Sequence, residues 1–179
     1  MTVPAWPQPL LDRCAGVRVV VFDVDGVMTD GRLFRDDSGQ EIKAFHSRDG
    51  LGLKALMRFG FRLAAVTARR SHLVQVRMAE LGIDDLLQGR EDKGAAFAEV
   101  LQRAGASAAE AAYMGDDLVD WPAMRTAGVK LCPGDADSWI VAHADYATTA
   151  PAGRGAVREV CELLLAAHGV LDRWRASFE

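Results

Sequence analysis

Asp23 and Asp25 stand one residue apart at the end of the most apolar stretch of the chain, the VVVF of positions 19–22. Carboxylates at the end of a buried strand are costly unless a metal, a cation or a proton compensates them. Three further polar positions answer to that need: Thr67 after RLAAV, Lys93 at the start of a predicted helix, and Asp116–Asp117 after AAYMG. All lie at the carboxyl ends of apolar runs or just beyond, where open α/β sheets bind their ligands. Two acidic clusters there could hold a hard cation such as Mg²⁺, which prefers oxygen ligands and keeps several waters. A cation in a helix's first turn opposes the macrodipole, so an anionic partner explains Lys93 better than solvent does. Lys93, Thr67 and backbone N–H groups near Gly26 and Ala68 could hold phosphate oxygens. One carboxylate is then left to attack phosphorus and one to move protons. Taken singly, each signal has an ordinary reading. Asp-x-Asp-Gly is a common turn, a lysine can be solvated, and Asp120 reads as a helix N-cap.

These groups need elements to carry them. After a Pro-rich arm (1–16), Val17–Val24 is the first predicted strand. Two short alternating runs, Arg32–Arg35 and Glu41–Phe45, flank DDSG and predict a hairpin. RDGLGLKALMRFG reads as a helix with Asp49 as N-cap and Gly60 as its stop. RLAAVT is a strand, Ser71–Leu81 a helix stopped by Gly82, DLLQG a strand, and Lys93–Ala104 a helix stopped by Gly105. SAAE (107–110) offers a capping box for one more turn. AAYMG, VKLC and ADYAT read as strands, DWPAMRTAG and GRGAVREVCELLLAAHG as helices. Strands alternating with helices predict an α/β fold, a doubly wound parallel sheet covered on both faces. It forms one domain over 17–169 with a protruding hairpin at about 32–45. A tail, 170–179, carries Trp174 and Phe178 as candidate anchors and reads either as a frayed end or as a segment that packs over an adjacent site.

Composition excludes other classes. Across 179 residues, half are apolar and 26% charged, with a net charge of −4, so the chain has neither the polarity of disorder nor a basic surface for nucleic acid. The N-terminal residues carry no secretory signal, and no apolar run has membrane-spanning length. Cys14, Cys132 and Cys161 have no CxxC spacing and predict reduced thiols in the cytoplasm. His46, His72, His143 and His168 show no ligand spacing, so zinc is not expected.

DVDGVMTDG, TAR, DK and MGDDLVD occur in the order and spacing of the four motifs of the haloacid dehalogenase-like phosphatases, and the chain resembles that superfamily. The longer strings FHSRDGLG, GDDLVDWPAM and AGRGAVREVCELLL are similar to its capless branch, the phosphatases of 3-deoxy-D-manno-octulosonate 8-phosphate. The likeness runs from about Val17 to His168. It implies a Rossmann-like fold in which Asp23 is the nucleophile and forms an aspartyl-phosphate. Asp25 protonates the leaving oxygen and then deprotonates the hydrolytic water. Mg²⁺ is implied on the Asp23 carboxylate, the Asp25 main-chain carbonyl and Asp116, with Asp117 orienting Lys93 or a bound water. Thr67 and Lys93 bind the phosphoryl group. The family has glycine where Ala68 stands here; the N–H of Ala68 serves equally unless that residue needs positive φ.

Substrate expectations rest on length and on surplus cations. Only residues 26–66 separate Asp25 from Thr67, and 68–92 separate Thr67 from Lys93, which leaves no room for a cap domain. An uncapped site admits water unless a neighbour covers it, and water exclusion favours this chemistry. An oligomer closed by hairpins is therefore expected, and the resemblance implies a homotetramer. Arg77 lies within an apolar stripe with Leu73 and Leu81, which suits either a guanidinium reaching an anion or interface or a stem that snorkels to the surface. Arg48, Lys54 and Arg69 add cations suited to a sugar acid's carboxylate; Arg48 beside Asp49 also reads as a surface pair, and Lys54 as a solvated helix residue. In the resembling family, positions matching His46, Ser47, Arg48, Asp49, Gly50, Lys54, Arg69 and Arg77, with Asp25 and Lys93, contact the sugar, Arg77 from a neighbour. Related nonulosonate 9-phosphate phosphatases carry Glu where Arg69 stands. The expected activity is hydrolysis of 3-deoxy-D-manno-octulosonate 8-phosphate in the supply of sugar acid for lipopolysaccharide. Its rivals are a phosphatase for another sugar-acid phosphate, a non-catalytic phosphosugar-binding protein, a Mn²⁺-dependent nucleotide-sugar transferase and a response-regulator receiver.

Overall fold

The computed structural model of the chain describes residues 6–179. At its centre lies β1 (Val19–Phe22), flanked by β4 (Arg62–Thr67) and β6 (Ala111–Met114). β5 (Asp85–Gln88) extends the sheet beyond β4, and β7 (Val129–Cys132) and β8 (Tyr146–Ala147) extend it beyond β6, every pairing being parallel. The strand order reverses at β1, so the chain leaves the carboxyl end of β1 at the sheet's switch point. Asp23 is the first residue past that end.

β1 is buried on both faces, which explains its unbroken apolar run. Val20 and Phe22 point into a core shared with α2 (Ser47–Arg58) and α7 (Ala156–Ala167), while Val19 and Val21 point into one shared with α4 (Lys93–Ala104) and α5 (Trp121–Met124). Each fully buried side chain of this kind contributes about 1.5–3 kcal/mol. α3 (His72–Leu81) and α4 end where the sequence places their stops, at Gly82 (φ 81°) and Gly105 (φ 59°), both left-handed. The Ser107–Glu110 capping box closes one 3₁₀ turn before β6.

The hairpin consists of β2 (Phe34–Arg35) and β3 (Glu41–Ile42), two residues each and shorter than the alternating runs suggest. Asp36 holds its turn by accepting hydrogen bonds from the Ser38 and Gln40 N–H groups at 3.0 and 2.8 Å. No further domain lies between Asp25 and Lys93 in the described structure. Among the described residues no helix is long and apolar enough to cross a membrane.

Asp49 is not the N-cap of α2. His46 holds that position without a side-chain bond, and Asp49 sits buried in the first turn. Its carboxylate accepts from the Arg158 N–H at 2.9 Å. The N-cap of α7 is Gly155, which has no side chain, so a neighbouring helix supplies the cap.

Three helices escape the sequence reading: α1 (Gln8–Cys14), α6 (Ser138–His143) and α8 (Leu171–Ala176). α1 lies in the segment set apart as an arm, of which residues 1–5 lie outside the described residues. The Trp6 indole N–H donates to the Tyr146 hydroxyl at 3.1 Å, and Cys14 is buried in the core. α8 folds the tail onto its own chain. Trp174 is 2% exposed, with the Arg158 guanidinium 4.5 Å from its ring centroid, whereas Phe178 stays exposed and meets only the edge of the Trp174 ring, at 5.9 Å between centroids. Trp174→Ala should therefore destabilise the protein by about 3–5 kcal/mol. Urea denaturation checks this; an unchanged midpoint would show that the tail is not part of the core.

Candidate active site

The loop after β1 turns sharply because three donors, Val27 N–H, Met28 N–H and Thr29 N–H, converge on the Val24 carbonyl. Gly26 has φ +91°, and a Cβ there would stand 2.1 Å from an Asp116 carboxylate oxygen. Glycine thus lets the acidic loop after β6 close on the loop after β1. The N–H groups of Asp25, Gly26 and Ala68 are used by no partner among the described residues, leaving donors for an anion. Ala68 does not have positive φ, so replacing the family glycine leaves its N–H in place without strain. The Thr67 hydroxyl oxygen accepts from the Arg69 N–H at 3.1 Å, which leaves its O–H free to donate.

Lys93 is brought under this loop by the first turn of α4, whose N-cap is Asp92. It is buried, and its ammonium lies 2.5 Å from Asp23 Oδ1 and 2.9 Å from the Val66 carbonyl. Burial works against that ammonium, but Asp23 and Asp120 more than offset it and raise its pKa.

Asp120, read from sequence as a helix N-cap, makes no cap bond. It is completely buried: Oδ1 accepts from the Tyr113 hydroxyl at 3.0 Å and lies 3.3 Å from Lys93 Nζ, while Oδ2 accepts from the Asp116 N–H at 3.1 Å. A 3₁₀ turn over Leu118–Asp120 folds it back beneath Asp116, where a Cβ on Gly115 would stand 2.4 Å from its own. The second carboxylate on Lys93, beside Asp23, is thus Asp120 and not Asp117. Asp117 instead faces solvent and caps that turn, accepting from the Leu118 N–H at 2.7 Å.

Asp23, Asp116 and Asp120 each offer a carboxylate oxygen, all within 4.8 Å of one another. Burial, then the charge of Asp120, push Asp23 up to about 7 despite Lys93. Burial, then Asp120 and Asp23, push Asp116 up to about 8. Three carboxylates against one ammonium leave a shortage of positive charge, and oxygen-only donors at this spacing fit a divalent hard cation. The Asp25 carboxylate is not in this cluster.

Asp25 faces the hairpin. The Lys43 ammonium pairs with its Oδ1, Arg69 Nε lies 3.8 Å from its Oδ2, and Arg69 Nη2 donates to Glu41 at 2.5 Å. Lys43 and Glu41 went unread in the sequence, where they pass for the alternating charges of an exposed hairpin. Above these groups opens a cleft of about 180 Å³, walled by Asp23, Asp25, Thr67, Lys93 and Asp116, with Arg69 at its side.

The remaining predicted sugar contacts do not line this cleft. His46, Asp49, Gly50 and Arg77 surround a separate cavity of about 10 Å³, room for one water. Arg77 pairs with Glu80 at 3.1 Å and packs against Phe45, so within the chain its guanidinium meets a surface carboxylate rather than the phosphate site. Arg48 borders another cleft, with Trp6 and Arg158, while Ser47 and Lys54 are exposed on α2.

No protein-family model matches the chain. It is 41% identical over 163 residues to the 3-deoxy-D-manno-octulosonate 8-phosphate phosphatase of Escherichia coli K12, covering 91% of this chain and 87% of that protein. Its fold superposes on the Moraxella catarrhalis phosphatase of that name, solved with magnesium ion, phosphate ion and KDO, with a TM-score of 0.94 and 38% identity over 97% of this chain and all of that one. The cobalt-bound Haemophilus influenzae phosphatase gives a TM-score of 0.89 and 36% identity over 93% of this chain and 99% of that one. The motifs, the doubly wound sheet and this identity along nearly the whole length agree: the chain belongs to the 3-deoxy-D-manno-octulosonate 8-phosphate phosphatases, within the haloacid dehalogenase-like superfamily.

Proposed function

We propose that this protein hydrolyses 3-deoxy-D-manno-octulosonate 8-phosphate to the free sugar acid and phosphate, through an aspartyl-phosphate on Asp23. The observation that carries this reading is the buried Lys93–Asp23 pair at the base of a cleft whose wall presents Asp25. Lys93 opposes the upward push of burial and Asp120 on Asp23 and aims Oδ1. The Thr67 hydroxyl and the N–H groups of Asp25, Gly26 and Ala68 are free to take the phosphoryl oxygens. As an Asp23 oxygen bonds to phosphorus, the ester P–O bond breaks and the sugar oxygen takes a proton from Asp25. Asp25, now a carboxylate, takes a proton from the water that attacks phosphorus; the Asp23–phosphate bond breaks and phosphate leaves.

Mg²⁺ fits the acidic cluster, with Asp23 and Asp116 as carboxylate ligands and the Asp25 carbonyl completing the protein's share. Bound there, it would neutralise charge on the phosphoryl oxygens. Asp120 works one layer back, orienting Lys93 and the Asp116 backbone.

The sugar acid's carboxylate would meet Arg69 within the chain. His46–Gly50, Lys54 and Arg77 surround no part of this cleft, and they serve the substrate only by completing a neighbour's site. That geometry supports an assembly with sites at subunit boundaries; four subunits is the number the family resemblance implies. The exposed Leu33, Phe34 and Ile42 of the hairpin supply apolar surface for such contacts. The protein would work in the cytoplasm, supplying the sugar acid of lipopolysaccharide.

Phosphate release from a panel of sugar phosphates, after EDTA treatment and with Mg²⁺ restored, tests this reading. Octulosonate 8-phosphate should be preferred, and Mg²⁺ should be required. A preference for neutral sugar phosphates, or for a nonulosonate 9-phosphate, would replace the substrate assignment.

A further inference from the structure

We propose that Lys43 is a positioning residue for Asp25, holding the carboxyl so that one oxygen is anchored and the other is left to move the proton. The inference rests on the aspartyl-phosphate reading above. Lys43 directly follows β3, yet only 2% of its side chain is exposed. A buried ammonium requires anions, and this one has two. It pairs with Asp25 Oδ1 and lies 3.5 Å from Glu41 Oε1. Asp25 Oδ2 is buried and has no hydrogen-bond partner. Apart from Lys43, the cation beside it is Arg69, whose Nε is 3.8 Å away, beyond hydrogen-bond reach. Arg69 is drawn aside by Glu41, which accepts from its Nη2 at 2.5 Å. The hairpin therefore performs two tasks with adjacent charges. Lys43 fixes one Asp25 oxygen, and Glu41 keeps Arg69 from occupying the other.

Oδ2 alone lacks a partner; closed to solvent in the free protein, it becomes the oxygen that exchanges a proton once a substrate draws Arg69 from beside it. In the first half-reaction the ester P–O bond breaks with its electron pair on the sugar oxygen, which takes the proton held at Oδ2. In the second, Oδ2 receives a proton from the attacking water. Without Lys43 the carboxyl can rotate, and Arg69 can pair with either oxygen. Hairpin strands of two residues each lack rigidity of their own, so the same ion pair also fixes the hairpin at the site. A purely structural tether would explain the burial but not the unequal treatment of the two Asp25 oxygens.

Leaving-group dependence separates these roles. For phenyl phosphate and p-nitrophenyl phosphate, two substrates without a sugar, kcat/KM reports steps through departure of the phenol. Phenolate needs a proton as it leaves far more than nitrophenolate does. The Lys43→Met variant of the full chain should lose about 10²-fold in kcat/KM on phenyl phosphate and on octulosonate 8-phosphate, the scale of a general acid, and less than about 3-fold on p-nitrophenyl phosphate. Lys43→Arg, which keeps the cation, should recover most of the loss. Equal losses on both aryl phosphates would reduce Lys43 to a tether, and a loss confined to the sugar phosphate would make it a sugar contact; either overturns the proposal. If the Met variant fails to melt cooperatively, Lys43→Gln is measured in its place against the same ratio. Asp23→Asn run alongside should be inactive on all three substrates. Turnover by that variant would reject the aspartyl-phosphate reading itself, separately from the role of Lys43.

Discussion

Asp23→Asn should leave a folded protein that releases phosphate at least about 10³-fold more slowly than the parent, the scale of losing a catalytic nucleophile. The amide matches the carboxylate in shape but cannot add to phosphorus under these conditions. Folding should survive for a reason visible in the site. Lys93 keeps the Val66 carbonyl at 2.9 Å and Asp120 at 3.3 Å, so its ammonium stays partnered. Replacing Asp23 also removes one of three crowded carboxylates, a change that favours the folded state when the cluster is ionised. Rapid acid quench during turnover should trap a phosphate label on the parent that hydroxylamine releases, as expected of an acyl phosphate, and none on the variant. Turnover by Asp23→Asn at more than a few per cent of the parental rate would move the nucleophile elsewhere.

The sequence made the sheet legible because β1, β4, β6 and β7 are short apolar runs separated by helices with unambiguous glycine stops. Gly82 and Gly105 fall where left-handed conformations are required, and glycine adopts those at the least cost. The site's first layer was legible for a related reason: Asp23, Thr67, Lys93 and Asp116 all follow strands of one parallel sheet, and that topology brings their ends together. What stayed hidden depends on contacts between distant segments. Asp120 carries the signature of an N-cap, and only the 3₁₀ turn over Leu118–Asp120 carries it beneath Asp116. Lys43 and Glu41 belong to a polar hairpin, whose fold-back over Asp25 no local pattern encodes. Asp49 reads locally as the cap of its own helix, yet it serves α7, whose N-cap, Gly155, has no side chain to offer. α6 and α8 are six residues each, too short for an apolar period to stand out. The Asp137 side chain that caps α6, accepting from Trp139 N–H at 2.9 Å, was the local signal available.

Stripped of divalent metal, the protein should lose stability as pH rises from 5 to 8, and Mg²⁺ should restore it most at the upper end. Asp23 and Asp116 ordinarily ionise near 3.8, and the fold raises them to about 7 and about 8. Across that window the folded chain keeps protons that the unfolded chain releases, so stability falls with rising pH. The loss begins above the unfolded value and is complete past the folded ones. Each tenfold in proton affinity is worth about 1.4 kcal/mol, and even after mutual relaxation the pair should remove on the order of 3 kcal/mol between pH 5 and 8. Glu110, held down to about 2 mainly by Arg18, titrates below this range and leaves it unaffected. Mg²⁺ binds the ionised carboxylates and must displace protons where they are held, so its stabilisation grows with pH. Thermal melts of EDTA-treated protein at pH 5 and 8, with and without excess Mg²⁺, measure both effects. Asp116→Asn should flatten the metal-free slope and abolish most of the Mg²⁺ shift, whereas Asp117→Asn, at an exposed cap whose charge adds only a lesser push on Asp116, should change both far less. A metal-free melting point that holds steady from pH 5 to 8 would mean that the three carboxylates do not repel one another in the fold. A Mg²⁺ shift of equal size at both pH values would place the cation on groups other than Asp23 and Asp116.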